Sequence, residues 1–324
     1  MYNNILYTLY NKSWILGYNK KNEKALDMPL PTEKNYGESW EVSSHKNGMS
    51  YVESGELRGK SLEELVKEFG SALLGEEVIQ RFGGKFPVLI KYLDVNDKLS
   101  VQVHPSDEYA LRVEKEFGKS EAWYIIEASD DAKLIMGTKD GVIKEEFLAK
   151  SKNNEFDNLF NIISVKKGDC INVNPGLVHA SIKGSLLICE TQQNSDTTYR
   201  IYDFDRKVNG KLRELHLDKA ADVINFDEKP EITNDKSRTT IKLVGADKQE
   251  LIRGEYFHID KLVVDGIFAD EINANFKVYS ILDGKGTILH SKNRYSAAKG
   301  DTYFIPAGLK VSVEGKVEIL KSFL

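Results

Sequence analysis

The sequence predicts a mainly β protein, two small antiparallel barrels with a few short helices. Three observations carry this expectation. From Phe86 onward, short apolar runs of strand length succeed one another (PVLIKYLDV, LSVQVHP, EAWYIIEA, AKLIMG, IISVKKG, CINVN, ASIKG and SLLICETQ), broken by Gly and Asn-Asp turns. A turn recurs: Lys167-Gly168-Asp169 leads to Pro175 and Gly176, and Lys299-Gly300-Asp301 leads to Pro306 and Gly308, each Gly-Asp pair preceding a glycine by the same interval. The chain's 324 residues are also enough for two cores, at about 150 residues per domain.

The elements follow in order. The first 60 residues alternate apolar and polar positions in segments such as SWEVSSH and MSYVESGEL, the period of half-buried strands. At Ser61 the period changes. Ser61 and Glu64 form a capping box, Leu62, Leu65, Val66, Phe69 and Leu73 mark one helical face, and Gly75 is placed to end the helix. A short helix, EEVIQRF, is expected next, then the strand series, interrupted by a helical stretch near Val142 to Asn161. LHLDKAADVINFDEKPEITNDKSRTT reads as a short helix and a polar, strand-poor linker. A second β-rich unit then runs from Ile241 to Leu324, and the expected domains are 1–229 and 230–324.

Charge narrows the partners. Lys and Arg number 45 against 50 Asp and Glu, a net charge of -5, so there is no chain-wide basic footprint for nucleic acid or an anionic membrane. No apolar run reaches the roughly 18 residues of a membrane span, and MYNNILYTLYNKSW lacks the basic start and cleavage site of a secretory leader. Cys170 and Cys189 sit in apolar strand-like runs, as buried free thiols do. A cytoplasmic location is expected.

One set of residues carries chemistry. Gln102 and His104 are two apart in LSVQVHP, so in a strand both point to one face. Glu121 opens the apolar run of GKSEAWYII, and His179 follows a Pro-Gly turn in NPGLVHAS. Two imidazoles, a carboxylate and an amide oxygen suit zinc or a similar divalent ion better than calcium or magnesium. His45, His216, His258 and His290 have no such company and read as structural or solvent-facing.

These same segments carry a family resemblance. YGESWEVSSHKNGMSYV, FPVLIKYLDVNDKLSVQVHPSDEYA, GKSEAWYII, VKKGDCINVNPGLVHAS and ETQQNSDTTYRIYDFDR resemble, in order, the signature blocks of type I phosphomannose isomerases in their short bacterial form. The resemblance implies a double cupin (jelly-roll) fold and one zinc per chain held by Gln102, His104, Glu121 and His179. It also implies isomerisation of mannose 6-phosphate and fructose 6-phosphate, and places Ser100, two residues before Gln102, at a position that contacts the phosphate.

The residues fit that chemistry. A phosphosugar is an anion, and Lys91, Lys119, Arg200 and Arg206 lie within these blocks of an acidic chain. Lys91 interrupts PVLIKYL, where an unpaired cation is costly to bury. Moving a proton between C1 and C2 needs an electrophile for the two oxygens and a proton carrier. Arg200 is the candidate for stabilising developing negative charge, and Lys119, Glu190 or a zinc-bound water for carrying the proton. In the second barrel, the repeat interval puts Val311 where the first has His179, so that barrel is expected to be metal-free. Two other readings use the same residues: a cupin dioxygenase with iron on two His and a carboxylate, and a non-catalytic sugar-binding cupin. The oligomeric state is left open.

Overall fold

The computed structural model describes residues 7–10, 14–16, 36–53, 55–208 and 210–324. The rest, including most of the N-terminal segment read against a secretory leader, lie outside the described residues. Among the described residues strands dominate and the six helices are short, the longest being Lys144–Lys152, as the alternating sequence pattern predicts. No described helix is long and apolar enough to cross a membrane.

The backbone groups into two compact units. One runs from Leu93 to Asn234, and the other joins the described residues before it to Asp235–Leu324. In the Leu93–Asn234 unit, one sheet runs in the order Phe160–Ser164, Lys133–Thr138, His179–Lys183, Val101–Val103, Tyr199–Tyr202. Facing strands run in the order Glu231–Asn234, Asp169–Val173, Glu121–Ala128, Leu186–Gln193.

Side-chain alternation sorts the residues of this unit into two cores. Val101, Val103, Ile135, Ala180, Tyr199 and Ile201 pack with Phe147, Ala220 and Ala221 from the helices Lys144–Lys152 and Leu217–Val223. On the opposite face, Leu134 and Met136 meet Trp123, Ile125, Ile171 and Ile188 between the two sheets. With Val101 and Val103 committed to the helix side, period two turns Ser100, Gln102 and His104 into the space between the sheets.

The other unit is built on a sheet whose long strands His258–Ala269, Ser312–Phe323 and Lys277–His290 pair in that order. Leu262, Val264, Tyr279, Ile281, Ile288, Val313 and Ile319 form its core, with Val311 buried among them.

The repeated turn is the same structure twice. Asp169 Oδ2 accepts from Lys166 N at 2.8 Å, and Asp301 Oδ2 from Ala298 N at 2.8 Å. The preceding glycines donate across to Ile125 O and Ile281 O, each at 2.9 Å.

Three expectations need correction. The helix that begins at Ser61 with both capping-box bonds ends at Phe69, because Gly70 caps it and starts a separate turn, Ser71–Leu74. EEVIQRF then forms Glu76–Phe82. The stretch from Val142 to Asn161 is helical only over Lys144–Lys152. Asn154 and Asn158, with φ of 59° and 64°, turn the chain into the strand Phe160–Ser164. Within the polar linker, Glu231–Asn234 is a strand, its edge satisfied by Asp169–Val173.

Candidate metal centre and its surroundings

His104, Glu121 and His179 come together between the two sheets, their potential ligand atoms all within 4.8 Å of one another. Strand pairing brings them there. His179 lies opposite Gln102 across one ladder and Arg200 opposite Gln102 across the next, while Glu121 begins the strand facing them. All three side chains are essentially inaccessible to solvent.

Both imidazoles are oriented by backbone carbonyls. His104 Nδ1 donates to Thr197 O at 2.9 Å and His179 Nδ1 to Leu177 O at 2.9 Å, so in each ring Nε2 is the atom with the available lone pair. Trp123 packs edge-on against the His179 ring, centroids 5.4 Å apart. Burial, then the neighbouring Lys119, holds the His104 imidazole well below its ordinary pKa, with Glu121 opposing only in part. It is therefore neutral, as a ligand must be. Burial pushes the Glu121 carboxyl up, but the Lys119 ammonium beside it more than reverses this, leaving it well below the usual carboxylate range.

The donor set fits a divalent cation. His179 Nε2 lies 3.2 Å from Glu121 Oε1 and His104 Nε2 3.5 Å from Glu121 Oε2, with lone pairs converging from both sides. Glu121 Oε1 is buried and receives no hydrogen bond, and Oε2 has only the Lys119 ammonium at 2.8 Å, an expense that a shared cation would offset. Gln102 turns its Nε2 toward His179 Nε2 at 3.3 Å. A half-turn of the amide would present Oε1 at that place.

The remaining expected residues do not all lie at the centre. Lys119 and Glu190 stand at the centre: Lys119 Nζ is 2.8 Å from Glu121 Oε2, 3.2 Å from His104 Nε2 and 3.7 Å from Glu190 Oε1. Ser100 is buried on the same strand face as Gln102. Arg200 has a buried Nε without an acceptor and donates through Nη1 to Glu214 O at 3.0 Å. Arg206 pairs with the buried Asp203 at 2.6 Å, and Arg213 approaches the same oxygen at 3.6 Å. Lys91 belongs to the other unit. It is buried there and ion-paired with Glu38 at 3.4 Å, which answers the cost of placing a cation in PVLIKYL.

Sequence reasoning passed over Thr197, Asp203 and Arg213, and read His216 only as structural or solvent-facing. The first two lie in the SDTTYRIYDFD block already singled out. The last two act through contacts that no local pattern announces. Of the histidines read as structural or solvent-facing, His216 is bonded to the Arg200 backbone and His290 is buried with Nδ1 on Lys310 O at 2.8 Å.

Comparison with known proteins places the chain. Residues 4–124 match the model of the type I phosphomannose isomerase catalytic domain, and residues 247–324 the mannose-6-phosphate isomerase cupin domain. Mannose-6-phosphate isomerase ManA of Bacillus subtilis is 40% identical over 91% of this chain and 91% of its own length. The chain belongs to the type I phosphomannose isomerase family. The mannose-6-phosphate isomerase of Streptococcus mutans is 37% identical over 97% of this chain and 95% of its own length. A crystal structure of a Bacillus subtilis mannose 6-phosphate isomerase superposes with a TM-score of 0.86 at 31% identity, over 98% of this chain and 99% of that one. The resemblance read from the motif blocks is thus borne out, as is the mainly β, cupin-type fold.

Proposed function

We propose that the protein is a zinc-dependent isomerase interconverting mannose 6-phosphate and fructose 6-phosphate, with one zinc per chain. The activity of its relatives, named as mannose-6-phosphate isomerases, supports the reaction. The observation that carries the metal reading is the buried His104, Glu121 and His179 group, with both imidazole Nε2 atoms turned toward one carboxylate. His104, Glu121, His179 and the reoriented amide of Gln102 would hold the ion. Bound there, zinc supplies a redox-inert Lewis acid for the sugar oxygens.

The chain's own residues do the rest. Arg200, opposite Gln102 on the adjoining strand, offers a fixed cation to the negative charge that develops as the proton leaves the carbon next to the carbonyl. Lys119 and Glu190, 3.7 Å apart and almost without solvent, are the candidates for carrying that proton between C1 and C2. Ser100, Lys91 and Arg206 are the proposed phosphate partners, Lys119 and Arg200 also being within reach of the substrate in this reading. Residues 1–229 would form the metal-binding domain and residues 230–324 a metal-free cupin-like domain, acting in the cytoplasm.

A coupled assay converting mannose 6-phosphate to fructose 6-phosphate, run on chelated and zinc-restored protein, tests the proposal. Restored turnover supports it. Stoichiometric iron with oxygen uptake and no isomerisation would favour the dioxygenase, and sugar binding without turnover the non-catalytic cupin.

A further inference from the structure

Lys119 occupies the place a metal ion would use. Its Nζ lies 2.8 Å from Glu121 Oε2 and 3.2 Å from His104 Nε2. With His104 Nδ1–H committed to Thr197 O, Nε2 can only accept, so the ammonium holds the same lone pair that coordination requires. An ammonium and a cation cannot both use that nitrogen. Lys119 is anchored at its own backbone by Pro105 O, 3.0 Å from its N–H, so the side chain can move without the strand moving. A second carboxylate, Glu190, stands 3.7 Å from Nζ.

We propose that Lys119 is a displaceable stand-in for the metal: it neutralises Glu121 and holds the ligand set assembled in the metal-free protein, and swings to Glu190 when the ion enters. The inference rests on the zinc reading above. Without such a counter-ion, two neutral imidazoles and a buried carboxylate would leave a charge uncompensated in a solvent-free site, and the apo form would lose its geometry. Metal entry exchanges one cation for another, so the ligands are already in place and only one side chain is reordered. The exchange also delivers the lysine to Glu190, its partner in the proposed proton transfer.

The test is calorimetric titration of zinc into chelator-stripped protein, alongside thermal unfolding with and without the metal. In Lys119→Met the competitor is gone, so zinc should bind on the order of tenfold more tightly or better than to the unsubstituted protein. The metal-free form should melt at a clearly lower temperature while the loaded form is little changed. In Glu190→Gln the displaced lysine has lost its second carboxylate, so zinc should bind several-fold more weakly with metal-free stability retained. If Lys119→Met does not fold without metal, the Glu190→Gln titration decides alone, and unchanged affinity there overturns the proposal. Equal or weaker zinc binding in Lys119→Met overturns it as well. A protein that binds no zinc in any form removes the metal reading itself, which is a different result from normal binding with no effect of Lys119.

Discussion

Arg200 and His216 hold each other through two backbone bonds. Arg200 N donates to His216 Nδ1 at 3.1 Å, and His216 N donates back to Arg200 O at 2.7 Å. The first bond needs an imidazole with a lone pair at Nδ1, so protonation of His216 at that nitrogen breaks it. The second fixes the start of the helix Leu217–Val223 to the strand Tyr199–Tyr202. A histidine outside the metal site therefore sets the backbone from which Arg200 projects.

Burial, then the Arg200 cation, lowers the His216 pKa below its ordinary 6.5. A group whose pKa is depressed by folding stabilises the fold above its unfolded value and loses that contribution as pH falls through the folded one. Thermal stability should thus decline as pH drops below about 6.5. His216→Asn keeps an acceptor that does not titrate, so its decline over the same range should be shallower. Parallel melting curves for the two proteins between pH 5 and 8 (on the order of this range, where His titrates) would remove this role from His216.

Metal content separates the histidines. His104→Ala and His179→Ala should each lose zinc and turnover together, since each removes one of three converging ligands. His290→Ala should keep both, at a stability cost of about 1 kcal/mol for the lost bond to Lys310 O. Elemental analysis beside the isomerase assay checks this. Full zinc and full turnover in either of the first pair would contradict the ligand assignment.

Arg200→Ala and Arg206→Ala should fail in different ways. Loss of a donor that acts on developing charge lowers kcat by on the order of a hundredfold with little change in KM, whereas loss of a phosphate partner mainly raises KM. Arg206 is also one of two cations on the buried Asp203, so its removal should cost some stability too. Steady-state kinetics with zinc content measured in parallel decides. A normal kcat in Arg200→Ala would move that residue to the phosphate group.

The two glycines of the repeated turn should differ in their tolerance of alanine. Both have positive φ, 90° at Gly176 and 71° at Gly308, which costs an alanine about 1 to 2 kcal/mol. A Cβ on Gly176 would also meet Val223 O at 2.9 Å and Asn225 N at 3.1 Å, while one on Gly308 meets open space. Gly176→Ala should therefore lose about 3 kcal/mol or more and Gly308→Ala about 1 kcal/mol. Denaturant titration of the two variants measures the difference, and equal losses would contradict it.

Much of this was legible because it is local. Period two in LSVQVHP already places Ser100, Gln102 and His104 on one face, and the Ser61–Glu64 capping box is decided within four residues. The Gly-Asp turns carry their own hydrogen bonds and so announce the repeat. Element ends were less legible. Gly70 ends a helix whose apolar face runs on to Leu73, and the helix ending at Lys152 stops nine residues before the periodic pattern does, because chain direction there answers to packing rather than propensity.

What the sequence could not contain is distance. Glu121 meets His179 at 3.2 Å although they stand 58 positions apart in the chain, and Lys119 reaches Glu190 from 71 positions away, only because the strand order brings those segments face to face. The sequence by itself determined which residue types were available and which face of a strand each would take, since backbone geometry imposes that residue by residue. Only the tertiary structure decided that His216 holds Arg200, that Lys91 pairs with Glu38, and that Lys119 sits on the ligand atoms. Those contacts join groups on different strands, helices and turns, and their energies exist only once the fold has brought the elements together.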